Sequence, residues 1–291
     1  MMLLRARGRE IRFPRRPLVM GIVNINDDSF CGDGSLDPDQ AMALARKQLR
    51  DGAEIIDVGA ESARTNRGPI SADEEVARLQ PFIKAFPKIT DMAGMTSPPP
   101  LLSVNTWRPE VVRRILPLGV DLLNDMGALP DAANARHCAE HGTALLIMHS
   151  IGQPKQPHPG EHYADVVKEV GDFFIRKLQL AESAGLGKDH TVLDPGIDFA
   201  KDRDDNLLLL RELESLTSLQ RPILLPVSRK TVIGEVLGLE KPAERDAGTI
   251  ACAVTGMMRG ATILRVHNVA ATVNSVRVIE PLLTAGNNKG D

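Results

Sequence analysis

The sequence predicts an α/β protein, a TIM (β/α)8 barrel, from three observations. Short apolar runs recur about eight times along the chain, and segments of helical period rich in Ala, Leu, Glu and Arg separate them. Nearly every run also ends in a polar residue on the same side of the pleat. Single strands alternating with single helices give a parallel sheet covered by helices, rather than separate strand and helix blocks. A barrel of this kind takes roughly 250 residues, and the chain has 291, of which 43% are hydrophobic and 25% charged. A doubly wound open sheet is the competing architecture. No GxGxxG follows the first run, which argues against its dinucleotide-binding form.

The runs, in order, are 18–24 (LVMGIVN), 54–61 (EIIDVGAE), 101–105 (LLSVN), 121–125 (DLLND), 144–149 (ALLIMH), 191–194 (TVLD), 222–230 (PILLPVSRK) and 262–267 (TILRVH). Helices are expected over 41–52, 74–86, 110–119, 133–142, 166–185, 206–216, 244–260 and 270–286. Asp37-Pro38 with Gln40, and Ser71 with Glu74, read as helix starts carrying capping boxes. Several helical patterns stop at a glycine just past the last apolar turn. Residues 87–100, with Pro98, Pro99 and Pro100 in succession, read as a non-helical insertion at the bottom of the barrel, away from chemistry. Residues 151–162 follow the fifth run and form a loop at the top. One barrel domain is expected over 18–286, preceded by a lead-in strand and turn over 1–17 and followed by a tail over 287–291.

Composition narrows the function. A net charge of −3 offers no general electrostatic case for nucleic acid. No run reaches the roughly 20 apolar residues that cross a bilayer. Cys31, Cys138 and Cys252 are widely spaced and outside any CxxC pattern, so neither a structural disulfide nor a zinc site is expected and the cytoplasm is the default compartment.

If the runs close into a barrel, Asn24, Glu61, Asn105, Asn124, His149, Asp194, Lys230, Arg265 and His267 converge on one rim, where such barrels do chemistry. A carboxylate among asparagine amides grips a flat heterocycle with adjacent N–H and carbonyl groups, and cations attract a phosphate or diphosphate. Arg265 and His267, two apart on a strand, point to the same side. They fall with Arg229 and Lys230 near strands seven and eight, a frequent phosphate position in these barrels. The expected ligand is a heterocycle with an anionic leaving group. His149 reads as a packed rim residue rather than a catalyst.

Several strings resemble a family. MGIVNINDDSF is similar to the MGIxNxTPDSF segment of dihydropteroate synthases, and IIDVGAESAR to their IDxGGESTRPG. LLNDM, MHS, LDPGIDFAK, VSRK and RVHNV resemble NDI, MHM, DPGxGFxK, xSRK and RVHDV in the same order and spacing. The resemblance runs from about residue 18 to the last helix. It implies a TIM barrel, a homodimer, that joins 6-hydroxymethyl-7,8-dihydropterin diphosphate to p-aminobenzoate, releasing pyrophosphate with the assistance of Mg²⁺. Carried over residue by residue, Asn105, Asn124, Asp194 and Lys230 would bind the pterin, and Arg64, Arg265 and His267 the diphosphate. Asn24 would orient the metal, while Phe30 and Ser228 would line the p-aminobenzoate pocket. Lys230, Arg265, His267 and Asn105 would carry the catalytic roles.

The departures matter as much. Asn105 stands where the family has Asp in xSVDT, Asn26-Asp27 replaces Thr-Pro, and Ser62-Ala63-Arg64-Thr65-Asn66 replaces STRPG. Asp198 replaces the second glycine of DPGxGF, Pro226 a glycine, and Asn268 an aspartate. A neutral Asn105 hydrogen-bonds a pterin but does not stabilise positive charge at the reacting methylene. Two readings stay open: a condensing enzyme of the synthase type, which the retained Asn24, Arg64, Arg265 and His267 favour, and a pterin-binding paralogue that does not condense p-aminobenzoate or uses another nucleophile.

Overall fold

The computed structural model describes residues 2–26, 31, 34–62, 68–94, 98–152, 154–156 and 163–284. The chain opens on an antiparallel hairpin, β1 (Met2–Ala6) and β2 (Arg9–Phe13), joined by Arg7-Gly8 with φ of 49° and 81°. A two-residue connection with positive φ at both positions matches the twist of the strands it joins. The hairpin pushes Leu4, Ala6 and Phe13 into the lower barrel interior. Its arginines hold the outside: Arg9 pairs with Asp121 and donates to the carbonyls of Pro99 and Pro100 at 2.8 and 3.0 Å, and Arg15 pairs with Glu54 at 2.5 Å. The lead-in is thus a plug that closes the end of the barrel opposite the chemistry.

There follow β3 (Leu18–Asn24), α1 (Pro38–Arg50), β4 (Ile55–Gly59), α2 (Ala72–Met92), β5 (Leu101–Asn105), α3 (Pro109–Ile115), β6 (Leu122–Asp125), α4 (Ala133–His141) and β7 (Ala144–Met148). The second half comprises α5 (Val166–Ser183), β8 (Thr191–Asp194), α6 (Arg203–Arg211), β9 (Leu224–Leu225), α7 (Thr231–Leu237), α8 (Asp246–Met258), β10 (Ile263–Val266) and α9 (Val269–Thr284). Strands β3 to β10 are parallel, in the order β8-β7-β6-β5-β4-β3-β10-β9. The ring closes where Leu193 of β8 bridges Ile223, with the Leu193 N–H donating to the Pro222 carbonyl at 2.9 Å. The expected TIM barrel is the fold observed.

Strand alternation sorts the core into two layers. Ile56, Val58, Leu102, Val104, Leu123, Leu145, Ile147, Leu193 and Leu264 face outward to the helices. Met20, Ile55, Leu101, Leu122, Leu146, Val192, Leu224 and Ile263 fill the barrel's lower interior. Two residues further along the strands, the inward positions become Asp57, Ser103, Asn124, Asp194 and Arg265. The same period that packs the floor therefore delivers the polar groups of the mouth.

Several expected elements are corrected. The seventh run is a strand only at Leu224–Leu225, because the flanking Pro222 and Pro226 have no N–H for a ladder. Helix α2 continues through Pro81 and Pro87 to Met92, so residues 87–92 are helical rather than an insertion. Leu79, Phe82, Ile83, Phe86 and Ile89 keep one face buried at helical spacing, and that packing outweighs the hydrogen bonds the prolines remove. Helix α7 was not anticipated, being only 7 residues long. Asp37 and Ser71 do cap α1 and α2, accepting from the Asp39 and Glu74 amides at 2.9 and 3.1 Å. The reciprocal capping box lies instead at α6, between Asp202 and Asp205.

Candidate active site at the barrel mouth

The centre of the mouth is Asp57, a side chain absent from the expected site. It is fully buried, and three strands supply its partners. Ser103 Oγ donates to Oδ1 at 2.5 Å, while Asn124 Nδ2 and Arg265 Nε both donate to Oδ2, at 3.0 and 2.8 Å. A buried carboxylate without such partners would be strongly unfavourable. Here it fixes one expected pterin ligand, Asn124, and one expected diphosphate ligand, Arg265, to the same oxygen atom. The sequence signal was available: a charged residue inside the apolar run IIDVG, in phase with inward positions, needs a partner across the barrel.

Asn124 keeps its Oδ1 buried and without a protein hydrogen bond, as does Asn105, whose Nδ2 lies 2.7 Å from Met126 Sδ. Buried amide oxygens of this kind are open to a ligand's N–H groups. Asp125, next in sequence to Asn124, faces the opposite way and ties Asn134 Nδ2 and the Gly127 N–H to the helix layer. Its part is structural.

Asp194 ends β8, 4% exposed, with Oδ1 accepting from the Gly196 N–H at 2.7 Å. Burial pushes its carboxyl up to about 6, against that N–H and the nearby charges of Lys230, Arg265 and Lys201. Gly196 is required here: φ is 68°, and a Cβ would stand 1.9 Å from the His149 carbonyl oxygen. Lys230, the N-cap residue of α7, is half-buried with its Nζ 4.5 Å from the centre of the Phe199 ring. Burial pulls its pKa down, while Asp198 and Asp194 push it up.

Lys201 was also missed. Its Nζ donates to the carbonyls of Gly196 and Phe199 at 3.1 and 3.0 Å and lies 2.8 Å from His149 Nδ1, so the loop after β8 is wound around an ammonium. Burial holds Lys201 down at about 7. His149 stacks edge-on against Phe173 at 4.7 Å, and burial and Lys201 drive it down to about 3, so the ring is neutral. The packed role expected for His149 is the one observed.

On the other side of the mouth, His267 Nδ1 lies 2.8 Å from Ser228 Oγ, and the His267 N–H donates to the same oxygen at 3.1 Å. Arg229 is taken by Asp246, with contacts of 2.7 and 3.2 Å, and is not a spare cation of the rim as the sequence suggested. Asn268 donates to Asp246 at 2.9 Å and accepts from the Ala271 N–H at 3.1 Å, so this departure from the family string is accommodated. Glu61 anchors the loop after β4, accepting from the Ile70 N–H at 3.1 Å and pairing with Arg108 and Lys155. Asn24 closes β3 on the inward side, in phase with Met20. Phe30 and Arg64 lie outside the described residues.

The barrel and its mouth thus have the form of an enzyme of the TIM-barrel class, with buried carboxylates, amides and cations gathered at one end of the strands. A model of the family described as "Pterin binding enzyme" matches residues 20–267. The chain is 37% identical to the dihydropteroate synthase of Escherichia coli strain K12 over 274 residues, 94% of each chain. The Yersinia pestis dihydropteroate synthase with a sulfonamide drug complex superposes with a TM-score of 0.88 at 34% identity, covering 98% of this chain and 100% of that one. The Burkholderia cenocepacia dihydropteroate synthase complexed with 7,8-dihydropteroate gives 0.86 at 33% identity, covering 99% of both chains. The chain belongs to the dihydropteroate synthase family of pterin-binding barrels.

The pKa of Asp194 sets a measurable pH dependence. If ionised Asp194 accepts the N–H groups of a pterin ring, affinity for that ring should rise with pH through about 6 and then level off. Calorimetry at pH 5.5 in buffers of different ionisation enthalpy should show protons released on binding; no release at that pH would mean that Asp194 is not the acceptor.

Proposed function

We propose that this protein catalyses the dihydropteroate synthase reaction, joining 6-hydroxymethyl-7,8-dihydropterin diphosphate to p-aminobenzoate with release of pyrophosphate. The observation that carries the reading is the shared oxygen of Asp57, which binds both Asn124 and Arg265. A pterin-only binder has no need to couple the ring's amide to a cation placed for an anion.

In this reading Asp194 and Asn124 hold the ring's donors and acceptors, with Asn105 beside them and Lys230 at the ring carbonyl and nitrogen. Arg265 and His267 receive the diphosphate, joined by Arg64 from the second loop. Ser228 lines the p-aminobenzoate pocket, a part the family resemblance also gives to Phe30. The aniline nitrogen's lone pair forms the new bond to the pterin methylene as the methylene–oxygen bond breaks, its electrons leave with pyrophosphate, and the amine loses a proton. The aniline is already nucleophilic when neutral, so no strong base is required. The work of the protein is to align the partners and to meet negative charge as it grows on the leaving group.

Mg²⁺ suits the residues present as a metal that enters with the diphosphate. Among the described residues, no three acidic, His or Cys side chains group to hold an ion. Mg²⁺ commonly keeps several waters and takes few protein oxygens beside substrate phosphates, and Asn24 at the mouth end of β3 would supply one. When bound, the metal neutralises part of the diphosphate charge.

A homodimer is supported by exposed Val236 and Leu237 on α7, Met258 on α8, and Val278 and Leu282 on α9. A sedimentation mass of one chain at micromolar protein would refute it. A cytoplasmic site is supported by Cys138 and Cys252, neither of which is in a disulfide. No helix among the described residues is long and apolar enough to cross a membrane.

The test is turnover. Purified protein with pterin diphosphate, p-aminobenzoate and Mg²⁺ should form dihydropteroate and pyrophosphate in equal amounts; tight pterin binding with no product would favour the non-condensing paralogue. Asn105→Asp should raise kcat about tenfold, since one added electrostatic interaction worth about 1.4 kcal/mol at the transition state has that effect. An unchanged or lower kcat would remove Asn105 from the chemistry.

A further inference from the structure

The family pattern has glycine where this chain has Asp198, and the structure gives that carboxylate a place. Asp198 lies in the loop after β8 with φ of 65°, a left-handed conformation that a non-glycine residue keeps only when its surroundings demand it. Its N–H donates to Asn206 Oδ1 at 2.8 Å. Its two carboxylate oxygens accept from the first two amides of α7, those of Thr231 and Val232, the second at 3.2 Å. Helix α7 has no side-chain cap of its own, because its N-cap residue is Lys230, which has no acceptor. The cap comes instead from another loop, one residue before Phe199, on whose ring the Lys230 ammonium rests.

We propose that Asp198 is a positioning residue for Lys230: it ties the β8 loop to the start of α7 and supplies the carboxylate that balances the lysine at the mouth. The proposal rests on the reading of Lys230 as a pterin-binding group. The charged and titratable groups that face Lys230 are Asp198 and Asp194, which favour its ammonium, Arg265 and Lys201, which oppose it, and the Cys31 thiol. Asp198 stands first among those that favour the charge. Removing it therefore loosens the lysine and lowers the pH at which its proton leaves.

The test compares Asp198→Gly, Asp198→Asn and Lys230→Met by calorimetric titration with 6-hydroxymethyl-7,8-dihydropterin diphosphate from pH 6 to 10, alongside thermal unfolding. Glycine accepts the positive φ freely, so misfolding of that variant is not expected. Asp198→Gly should weaken binding at pH 7 about five- to tenfold, the effect of a lost helix cap expressed as a binding ratio. Its affinity should also begin to fall at lower pH than in the wild type. Asp198→Asn keeps one acceptor, so it should recover part of the affinity yet show the same early fall at high pH.

A loss of melting temperature in Asp198→Gly with affinity and pH profile unchanged would overturn the proposal and leave a structural cap only. Loss of binding in Lys230→Met with wild-type binding in Asp198→Gly would overturn it while sparing the reading of the mouth. Wild-type binding in Lys230→Met would remove that reading and the proposal together.

Discussion

Asp57→Asn is expected to lower kcat/KM for the pterin diphosphate by about two to three orders of magnitude, the largest effect of any single side chain in the mouth. The substitution keeps the shape and removes the charge that Arg265 faces. Breaking a buried ion pair from one side costs about 3–5 kcal/mol, because the remaining charge is left uncompensated. Arg265 Nε and Asn124 Nδ2 would still share one oxygen, now a neutral amide's, and an NH₂ would stand where Ser103 now donates. Both halves of the substrate should feel the change, so KM should rise and kcat fall together. Steady-state kinetics run beside urea unfolding separate the outcomes: a destabilised protein whose folded fraction retains normal kinetics would make Asp57 a scaffold residue only.

The second large effect is expected on stability. Lys201→Met leaves the Gly196 and Phe199 carbonyls and His149 Nδ1 without the ammonium they now share. Each buried acceptor left unmet costs about 1–3 kcal/mol, offset here by the gain from burying an apolar side chain, so a net loss of about 2–4 kcal/mol is expected. For a chain of this size that is about 10 °C in Tm. The sign with pH is specific. Because burial holds Lys201 down at about 7, below its unfolded value, the unfolded chain binds more protons between about 7 and the ordinary lysine range. The lysine's contribution to stability therefore rises with pH through that window, and this slope should vanish in Lys201→Met. A variant that melts like the wild type, with the same slope, would show that the loop after β8 does not depend on the ammonium.

Both residues show how far the sequence could be read. Period-two alternation was enough to place Asn105, Asn124, Asp194 and Arg265 on inward positions of separate strands, because a one-residue slip would have turned the apolar floor outward. The plug hairpin was foreshadowed only as a strand and turn; its Arg7-Gly8 connection carried no standard turn pair such as Asn-Gly. Helix α2 through Pro87 is not legible from local propensity, because the buried face that Phe86 and Ile89 extend decides it. The roles of Asp57, Lys201 and Asp198 are not legible in the sequence, for one reason. Each acts through a partner far off in the chain, 208 positions for Asp57, 52 for Lys201 and 33 for Asp198, and such partnerships exist only once the barrel closes. Asp57 alone left a trace, as a charge buried in an apolar strand.

The departures from the family strings divide in the same way. Asn268 and Asp198 found new partners that explain them, at Asp246 and at the start of α7. Asn105 found only the Met126 sulfur and leaves its oxygen open. The question of catalytic rate therefore concentrates at Asn105, and the question of ligand positioning at the Asp57 hub.

The most direct measurement is a calorimetric comparison of two ligands, the hydroxymethyl-dihydropterin with and without its diphosphate, in the wild type, Asp194→Asn and His267→Ala. If the mouth holds the ring on one side and the anion on the other, Asp194→Asn should weaken both ligands by a similar factor, about tenfold or more for a lost charge-assisted bond. His267→Ala should weaken only the ligand that carries the diphosphate. Equal weakening of both ligands by His267→Ala, or wild-type affinity for the bare pterin in Asp194→Asn, would contradict the assignment.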